Sequence, residues 1–547
     1  MKVVVIGGVA GGAGVCARLR RNREDLEIIM IEKGDFISYA NCGLPYYIGN
    51  VIENQEELLL QTPEGFGKRF NVEVRVRNEV LSVDTDKKEV TVLNHKSGES
   101  YVESYDVLVL SPGAKPIVPN LKRIDKDHVY TLRTVPDTLK IKEYINREKP
   151  SSAIVVGGGF IGIEMAENLK HLGINVSIIE AADHVIASID SDMSHEIHNH
   201  IRENGVSLYL NSKVVEISDN YVLLEDGREI KGDLVIMSVG VRPETEFLKD
   251  SGIKLGGRGE IVVDEFMKTS QSNIYALGDA VAVKSFGSGK ENIIPLAGPA
   301  NKQGRIVADN IASKKVGYNG TQGTAIAKVF DMTTAVTGES ERTLKQNGTS
   351  YKKVITYSAS NATYYPGAQF MTIKLLFTPD TGKILGGQIA GYKGVDKRID
   401  TIASSMRSGL TVHDVQELEL AYAPPFSSAK DPLNMAAYVA GNVLDGTMKP
   451  FYIEDVENIP KEDIILDVRT EMENEQGRIE GSINIPVDEL RDRIDELDKD
   501  KKYYIYCRVG QRGYIAQRIL EQRGFNTLNL SGGYKFYEQL LLDERNK

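Results

Sequence analysis

The chain has 547 residues, which at roughly 150 residues per domain predicts three or four domains. Its 66 Lys and Arg against 77 Asp and Glu leave a net charge of −11, which excludes a general nucleic-acid binder, because such proteins need a basic face. Hydrophobic residues at 41% and charged residues at 26% exclude wholesale disorder, and three cysteines (Cys16, Cys42 and Cys507) exclude a disulfide scaffold or a four-cysteine zinc site and point to a reducing compartment.

Residues 3–17 are the nearest thing to a signal peptide or membrane span, but five of them are glycine and none is leucine, so they read as a strand and its turn. Lys2–Ile6 is a β-branched run of the buried parallel type. Gly7-Gly8-Val9-Ala10-Gly11-Gly12 follows, then helical spacing over 13–20 and a second β-branched run, 28–31, ending at Glu32. This is a dinucleotide-binding arrangement: glycines let the backbone approach a pyrophosphate, the helix N-terminus supplies N–H groups, and Glu32 can accept from a ribose hydroxyl. Val9 departs from the fingerprint, standing where its second glycine belongs. Arg18, Arg20, Arg21 and Arg23 follow, with Arg18 and Arg21 on one face; the group reads either as a solvated helix end or as a phosphate patch.

Cys42 stands between Asn41 and Gly43, ahead of Leu44 and Pro45, on a predicted turn or helix start. Such a place is expected to lower a thiol pKa and make the sulfur a nucleophile, whereas Cys16, on the apolar side of the first helix, reads as inert. Residues 107–110 form a strand leading into Ser111-Pro112-Gly113-Ala114. Ser152–Val156 leads into a full fingerprint, Gly157-Gly158-Gly159-Phe160-Ile161-Gly162, followed by a helix over 163–172 and a strand, Asn175–Ile179, ending at Glu180. Two such units imply a flavin and a nicotinamide, and Glu180 would repel a 2′-phosphate, which favours NADH over NADPH. Residues 273–277 form a strand ending at Gly278-Asp279, where Asp279 can accept from a ribityl chain, so the first domain is split and the second lies inserted within it.

Residues 444–460 are turn-rich and read as a linker, after which strands are predicted at 464–469 and 503–506. The second ends at Cys507, whose loop, Cys507-Arg508-Val509-Gly510-Gln511-Arg512-Gly513, opens a helix. Loop N–H groups, the helix end and two arginines are expected to stabilise a thiolate or a bound anion. His195, His198 and His200 cluster without a cysteine, so no metal is expected, and 491–502 reads as a solvated helix face and turn.

On the two fingerprints and the single cysteine within Phe36-Ile37-Ser38-Tyr39-Ala40-Asn41-Cys42-Gly43-Leu44-Pro45-Tyr46, residues 1–447 resemble the pyridine nucleotide-disulfide reductases, in the branch of coenzyme A disulfide reductases and NADH oxidases. The resemblance implies FAD, NADH (NADPH being possible) and coenzyme A. It assigns cofactor contacts to Gly7, Gly8, Val9, Ala10, Gly11, Gly12, Glu32, Lys33, Val80, Ser111, Gly113, Asp279 and Ala297, and to Gly157, Gly159, Phe160, Ile161, Gly162 and Glu180. One cysteine must cycle through a mixed disulfide with a substrate thiol or through a sulfenate. Sulfenate enzymes of this branch usually carry a histidine near the first glycine loop, and none precedes His95 here. Segments 361–367 and 421–426 resemble the family's two-tyrosine segments, so Tyr364 and Tyr422 would reach the partner subunit's active site and donate to a leaving thiolate, although Pro-Gly and Pro-Pro there also suit turns. Arg18, Arg21, Ser38, Asn41, Asn301 and Lys430, with Arg69 as a further candidate, match coenzyme A contacts.

Residues 461–547 resemble a rhodanese domain, with Cys507 at the persulfide position, Asp467 and Arg469 in the first signature, and Arg508, Gly510 and Arg512 in the loop. Arg478 departs from the second signature, which usually has histidine there. Related phosphatase loops are a residue longer and have Ser or Thr where Gly513 stands.

The predicted fold is α/β: two Rossmann-like dinucleotide-binding domains, an α+β dimerisation domain and a C-terminal α/β rhodanese domain. The expected boundaries are 1–120 with 245–322 for FAD, 121–244 for NAD, 323–447 for dimerisation, 448–460 for the linker and 461–547 for the rhodanese domain. The expected activity is NADH-dependent reduction of coenzyme A disulfide, coenzyme A persulfide or polysulfide by a cytoplasmic homodimer without membrane or nucleic-acid partners. The alternatives are an NADH oxidase reducing oxygen and a flavoprotein scaffold presenting a sulfurtransferase.

Overall fold

The structure, a computed structural model, describes residues 1–122, 124 and 126–546; residue 547, the end of the expected rhodanese domain, and residues 123 and 125 of the expected NAD domain lie outside them. The chain forms two compact units, Met1–Ala181 with Asn211–Gly323, and Ala182–Leu210 with Thr324–Lys547.

The first unit holds two mainly parallel sheets. One has the order Ile274–Ala276, Val107–Leu110, Lys2–Ile6, Glu27–Ile31, Glu73–Arg75, with every pairing parallel. The β-branched runs of the sequence are its buried centre, as a sheet covered on both faces requires. Strand Ile274–Ala276 returns late in the chain to lie beside Val107–Leu110. Between them in sequence comes the second sheet, whose strands in this unit are ordered Asn175–Ile179, Ser152–Val156, Leu234–Met237, Val129–Thr131. An antiparallel meander, Asn78–Asp84, Glu89–Asn94 and Ser100–Ser104, stands beside the first sheet in sequence.

The second unit contains an antiparallel sheet ordered Ala325–Val329, Met332–Gly338, Ile384–Gly391, Phe370–Phe377, Lys352–Ala359, with helices Val395–Arg407 and Pro432–Leu444 completing its core. It also contains a parallel sheet ordered Pro450–Phe451, Asn526–Leu530, Lys502–Tyr506, Ile464–Asp467, Ile483–Asn484. Two expectations are corrected here. The stretch 448–460 is no free linker: Pro450 and Phe451 pair with Asn529 and Leu530, residues Ile453–Asn458 form a 3-10 helix, and the Tyr452 hydroxyl donates to the Lys353 carbonyl at 2.9 Å. A two-residue edge strand is too short to leave a periodic signal. Residues 491–502 hold turns and a short 3-10 helix, Ile494–Glu496, in place of an α-helix before strand Lys502–Tyr506 begins; Arg493 faces Glu489 and Glu496 there.

Helix Ser191–Glu203, expected within the NAD domain, belongs to the second unit. Ion pairs hold it there. Asp543, fully buried in the last helix, accepts from His195 Nδ1 at 2.7 Å, His198 Nδ1 at 2.9 Å and Arg202 at 2.5 Å. At the other end of that helix, Asp192 meets the buried Lys374 at 2.6 Å, and Lys374 and Lys353 share Glu341. Lys353 also reaches Glu454 at 2.7 Å, so one network spans the antiparallel sheet and the entry to the parallel one.

Breaking a buried pair strands an uncompensated charge, so Asp543→Ala should cost about 3–5 kcal/mol and lower the Tm of the unit. Burial holds His198 below its ordinary value, and although burial opposes it, hydrogen bonds from His195, His198 and Arg202 hold the Asp543 carboxyl well below the carboxylate range. Both groups therefore bind protons more readily in the unfolded chain. Stability is fully present above about pH 6.5 and falls as pH drops through the unfolded values of His and then Asp. Melting curves at about pH 7.5 and about pH 5.5 should show the lower Tm at the acid end; a Tm that rises on acidification would contradict this.

Candidate functional site

Both glycine loops close in the same way. A Cβ on Gly12 would sit 1.8 Å from the Gly7 carbonyl oxygen, and one on Gly162 would sit 1.9 Å from that of Gly157, so only glycine lets each helix start pack on its strand. The Val9 departure is explained by its counterpart Gly159, which has φ −74° and open space around it, a position that tolerates a side chain; Val9 itself has φ −94°. Glu32 accepts from the Gly8 N–H at 2.8 Å and Glu180 accepts from the Gly158 N–H at 2.7 Å, so each acidic residue stands against its own loop. A Cβ on Gly11 would meet Ser111 Oγ at 2.6 Å, which lines the same cradle. These residues fit a dinucleotide at each loop. Gly113 has φ +75°, Ala297 is the exposed first residue of helix Ala297–Ile311, Val80 is buried in the meander, and Lys33 pairs with Glu244.

The cysteine segment is fastened to the first loop: the Ser38 N–H donates to the Gly8 carbonyl at 2.9 Å, and Ser38 adopts φ +46°. The chain then makes a 3-10 turn, Asn41–Gly43, directly before helix Leu44–Ile48, with Pro45 in its first turn. Cys42 sits in that turn and is exposed, while Cys16 is buried and its thiol is pushed up to about 12 by burial. The expected acidification of Cys42 is corrected: burial of the thiol, then the Glu164 carboxylate, push it up, against Arg133. Glu164 lies in helix Phe160–His171, directly after the second glycine loop, and burial with Glu167 nearby pushes its carboxyl up to about 7. Helix Leu44–Ile48 packs on that helix so closely that a Cβ on Gly49 would meet Asn168 at 2.2 Å.

Sequence reasoning missed Glu164 and Arg133. Arg133 pairs with Asp279 at 2.8 Å, and the Asn41 amide, oriented by its hydrogen bonds, donates to the Arg133 carbonyl at 2.8 Å and accepts from its guanidinium. Asp279 is thus held by a cation rather than standing open. Arg18 is likewise committed: its guanidinium meets both Asp309 oxygens, at 2.9 and 3.2 Å, and this pairing, against burial, holds Asp309 at about 2. Arg20 is structural, donating to five backbone carbonyls including those of Phe70 and Leu26, and Arg23 pairs with Asp25. Arg21 and Arg69 are exposed, and exposed Asn301 donates to the Ala297 carbonyl.

In the second unit, the Tyr364 and Tyr422 hydroxyls lie 2.9 Å apart and both rings are exposed. The shared hydrogen bond pushes the Tyr364 phenol up. Tyr422 and Phe426 border a cavity of about 390 Å³ whose cations are Lys393, Lys397 and Arg398; Lys430 is exposed.

Cys507 follows strand Lys502–Tyr506 and is 1% exposed; its sulfur accepts from the Gly510 N–H at 3.1 Å, and Gly510, with φ +97°, caps helix Gln511–Glu521. Helix Gly533–Arg545 clamps the loop from behind, Tyr534 and Lys535 N–H groups donating to the carbonyls of Cys507 and Arg508 at 2.8 and 2.9 Å. Buried Arg469 pairs with Asp467 at 2.6 Å beneath the Tyr534 ring. Both loop arginines stand in ion pairs: Arg508 pairs with Glu538 at 2.8 Å, and Arg512 meets Glu473 through two bonds of 2.7 Å. Arg478 is exposed beside Asn474.

His195, His198 and Asp543 converge as metal ligands would. The Val185 N–H, however, donates to His198 Nε2 at 3.2 Å, which places the ring proton on Nδ1 facing Asp543. The cluster is a hydrogen-bonded carboxylate whose charge is met by Arg202. Among the described residues no helix is long and apolar enough to cross a membrane.

Three family models match the chain: pyridine nucleotide-disulphide oxidoreductase over residues 1–304, its dimerisation domain over 324–432 and a rhodanese-like domain over 453–539. A coenzyme A disulfide reductase of Staphylococcus aureus is 36% identical over 440 residues, covering 80% of this chain and 99% of that one. The crystal structure of reduced Bacillus anthracis CoADR-RHD is 48% identical with a TM-score of 0.97, covering 99% of this chain and 98% of that one. A NAD-dependent persulfide reductase from A. fulgidus is 36% identical with a TM-score of 0.92, covering 98% and 100%. The chain belongs to the pyridine nucleotide-disulphide oxidoreductases, FAD- and NAD(P)H-dependent enzymes, and carries a C-terminal rhodanese domain.

Proposed function

We propose that this enzyme uses NADH to reduce the disulfide or persulfide of coenzyme A through one cysteine, Cys42, and that Cys507 carries sulfane sulfur. The observation behind the reading is that Cys42 is exposed while Cys16 and Cys507 are buried, so no second thiol stands ready to close an internal disulfide. A lone thiol must then make its disulfide with the substrate. The Cys42 thiolate forms a bond to one sulfur of the substrate disulfide, that S–S bond breaks, and coenzyme A leaves with the electron pair. Two electrons from NADH, passed on by FAD when it is bound, split the resulting mixed disulfide into the Cys42 thiolate and a second coenzyme A thiol.

The chain's own groups handle the protons and the charge. The Glu164 charge reaches the Cys42 thiol, and each group is pushed toward its neutral form. A thiolate at Cys42 therefore favours a protonated Glu164, which is poised near neutrality to exchange a proton. Arg21, Arg69, Asn301 and Lys430 are exposed and suit a phosphate-rich ligand, while Arg18 acts by bracing helix Ala10–Asn22 against Asp309. The dimerisation-domain match supports a homodimer, in which the phenols of Tyr364 and Tyr422 donate to the leaving thiolate at the partner's Cys42. The buried Cys507 loop and the rhodanese match support sulfur transfer, and three cysteines without a disulfide support a reducing, cytoplasmic setting.

Two measurements test this reading. Cys42→Ser should abolish NADH-driven release of coenzyme A from its disulfide while bleaching of the flavin absorbance by NADH persists; turnover in the variant would contradict the role. Glu164→Gln removes the charge that reaches the thiol, so the pH profile of Cys42 alkylation should move to lower pH, by roughly one unit. An unmoved profile would show that the two groups are not coupled.

A further inference from the structure

The loop around Cys507 contains more cations than it can offer to a ligand. Three guanidiniums surround it, and each is matched to a carboxylate: Arg469 to Asp467, Arg508 to Glu538 and Arg512 to Glu473. The last pair is the most committed. Arg512 spends both terminal nitrogens on Glu473, Nη1 on Oε2 and Nη2 on Oε1, each at 2.7 Å. Glu473 is itself anchored, because it occupies the third position of helix Glu471–Gln476 and closes a capping box with Thr470, whose N–H and hydroxyl both donate to it at 3.1 Å. The Arg512 guanidinium holds its carboxyl down at about 2, so the charge is present at every physiological pH.

This arrangement discriminates between classes of sulfur donor. An inorganic donor such as thiosulfate brings two negative charges next to the sulfur that transfers, and its leaving group is the sulfite dianion. To bind, it must displace Glu473 from Arg512 or lie against that carboxylate. An organic hydropersulfide, R–S–SH, brings at most one charge to the loop and carries any other charge at the far end of R. We propose that Glu473 is a specificity-determining residue of the Cys507 loop, neutralising Arg512 so that dianionic donors are refused and organic hydropersulfides are admitted. The proposal rests on the reading of Cys507 as a sulfur carrier. In the step it governs, the Cys507 thiolate forms a bond to the terminal sulfur of R–S–SH. The donor S–S bond breaks and its electron pair leaves on R–S⁻. The proton stays on the transferred sulfur, giving Cys507–S–SH with no outside oxidant or reductant.

The test is the rate at which the full-length holoenzyme gains one sulfur atom on the peptide carrying Cys507, followed by mass spectrometry, with thiosulfate or glutathione hydropersulfide as donor. The wild-type protein should load from the hydropersulfide at least about 100-fold faster than from thiosulfate, since placing like charges together costs several kcal/mol. Glu473→Gln keeps the helix cap but removes the charge, and should lower that ratio by about tenfold or more, whereas Glu473→Asp should hold it within about threefold. A ratio of two donors on one sample is insensitive to the folded fraction, so a merely structural role would leave it unmoved. Comparable loading of the wild type from both donors, or an unchanged ratio in Glu473→Gln, would overturn the assignment. Loading from neither donor would instead overturn the sulfur-carrier reading beneath it.

Discussion

The Cys42 thiol lies within reach of the Glu164 charge, and on our reading that coupling governs the redox chemistry. Burial acts against ionisation of both, and the Glu164 charge acts against the thiolate more than Arg133 favours it. A nucleophile under that constraint is not a standing thiolate. It becomes one when a neighbouring charge changes, whether by protonation of Glu164 near neutrality or by the arrival of a substrate with its own charges. Two fixtures make the coupling possible. The Ser38 N–H ties the cysteine segment to the first glycine loop, and Gly49 lets helix Leu44–Ile48 press against the helix of the second loop, which carries Glu164. Both dinucleotide loops are thereby built into the environment of a single sulfur.

The C-terminal unit follows a different principle. Its antiparallel and parallel sheets are joined through buried charge: Lys374 and Lys353 against Asp192, Glu341 and Glu454, and Asp543 against two imidazoles and a guanidinium. Buried ion pairs add little net stability over apolar packing, but they penalise every arrangement in which the partners fail to meet. That suits a rhodanese-like domain held against the antiparallel sheet in one register. The Cys507 loop gains from the same fixation, because the helix that carries Asp543 begins with the two N–H groups that clamp its carbonyls.

Much of this was legible in the sequence. Lys2–Ile6, Ser152–Val156, Asn175–Ile179 and the strand before Cys507 declare themselves by β-branched or apolar runs, because a parallel strand covered on both faces has no polar side to blur the pattern. Both glycine loops were readable, including the valine in the first, since the glycines that matter there are set by close backbone approach. Spacing could not show what the charged residues do. Arg18, Asp279, Arg508 and Arg512 were all read as available to ligands, and each has an opposite charge brought to it from a distant part of the chain. Glu164 escaped notice for the same reason: its meaning lies in the charge it brings to Cys42 from another helix, and in sequence it is one more polar residue of a helix. The strand inside 448–460 was too short to be periodic, and the capture of helix Ser191–Glu203 by the C-terminal unit rests on ion pairs that no local signal announces.

The central claim is that one cysteine carries the substrate as a mixed disulfide. It is tested most directly by mass spectrometry under non-reducing conditions of the enzyme treated anaerobically with coenzyme A disulfide, then with NADH. The account predicts one coenzyme A on the peptide containing Cys42, none on those containing Cys16 or Cys507, and its release when NADH is added. An adduct confined to Cys507, or no adduct together with NADH consumption that needs oxygen, would contradict it.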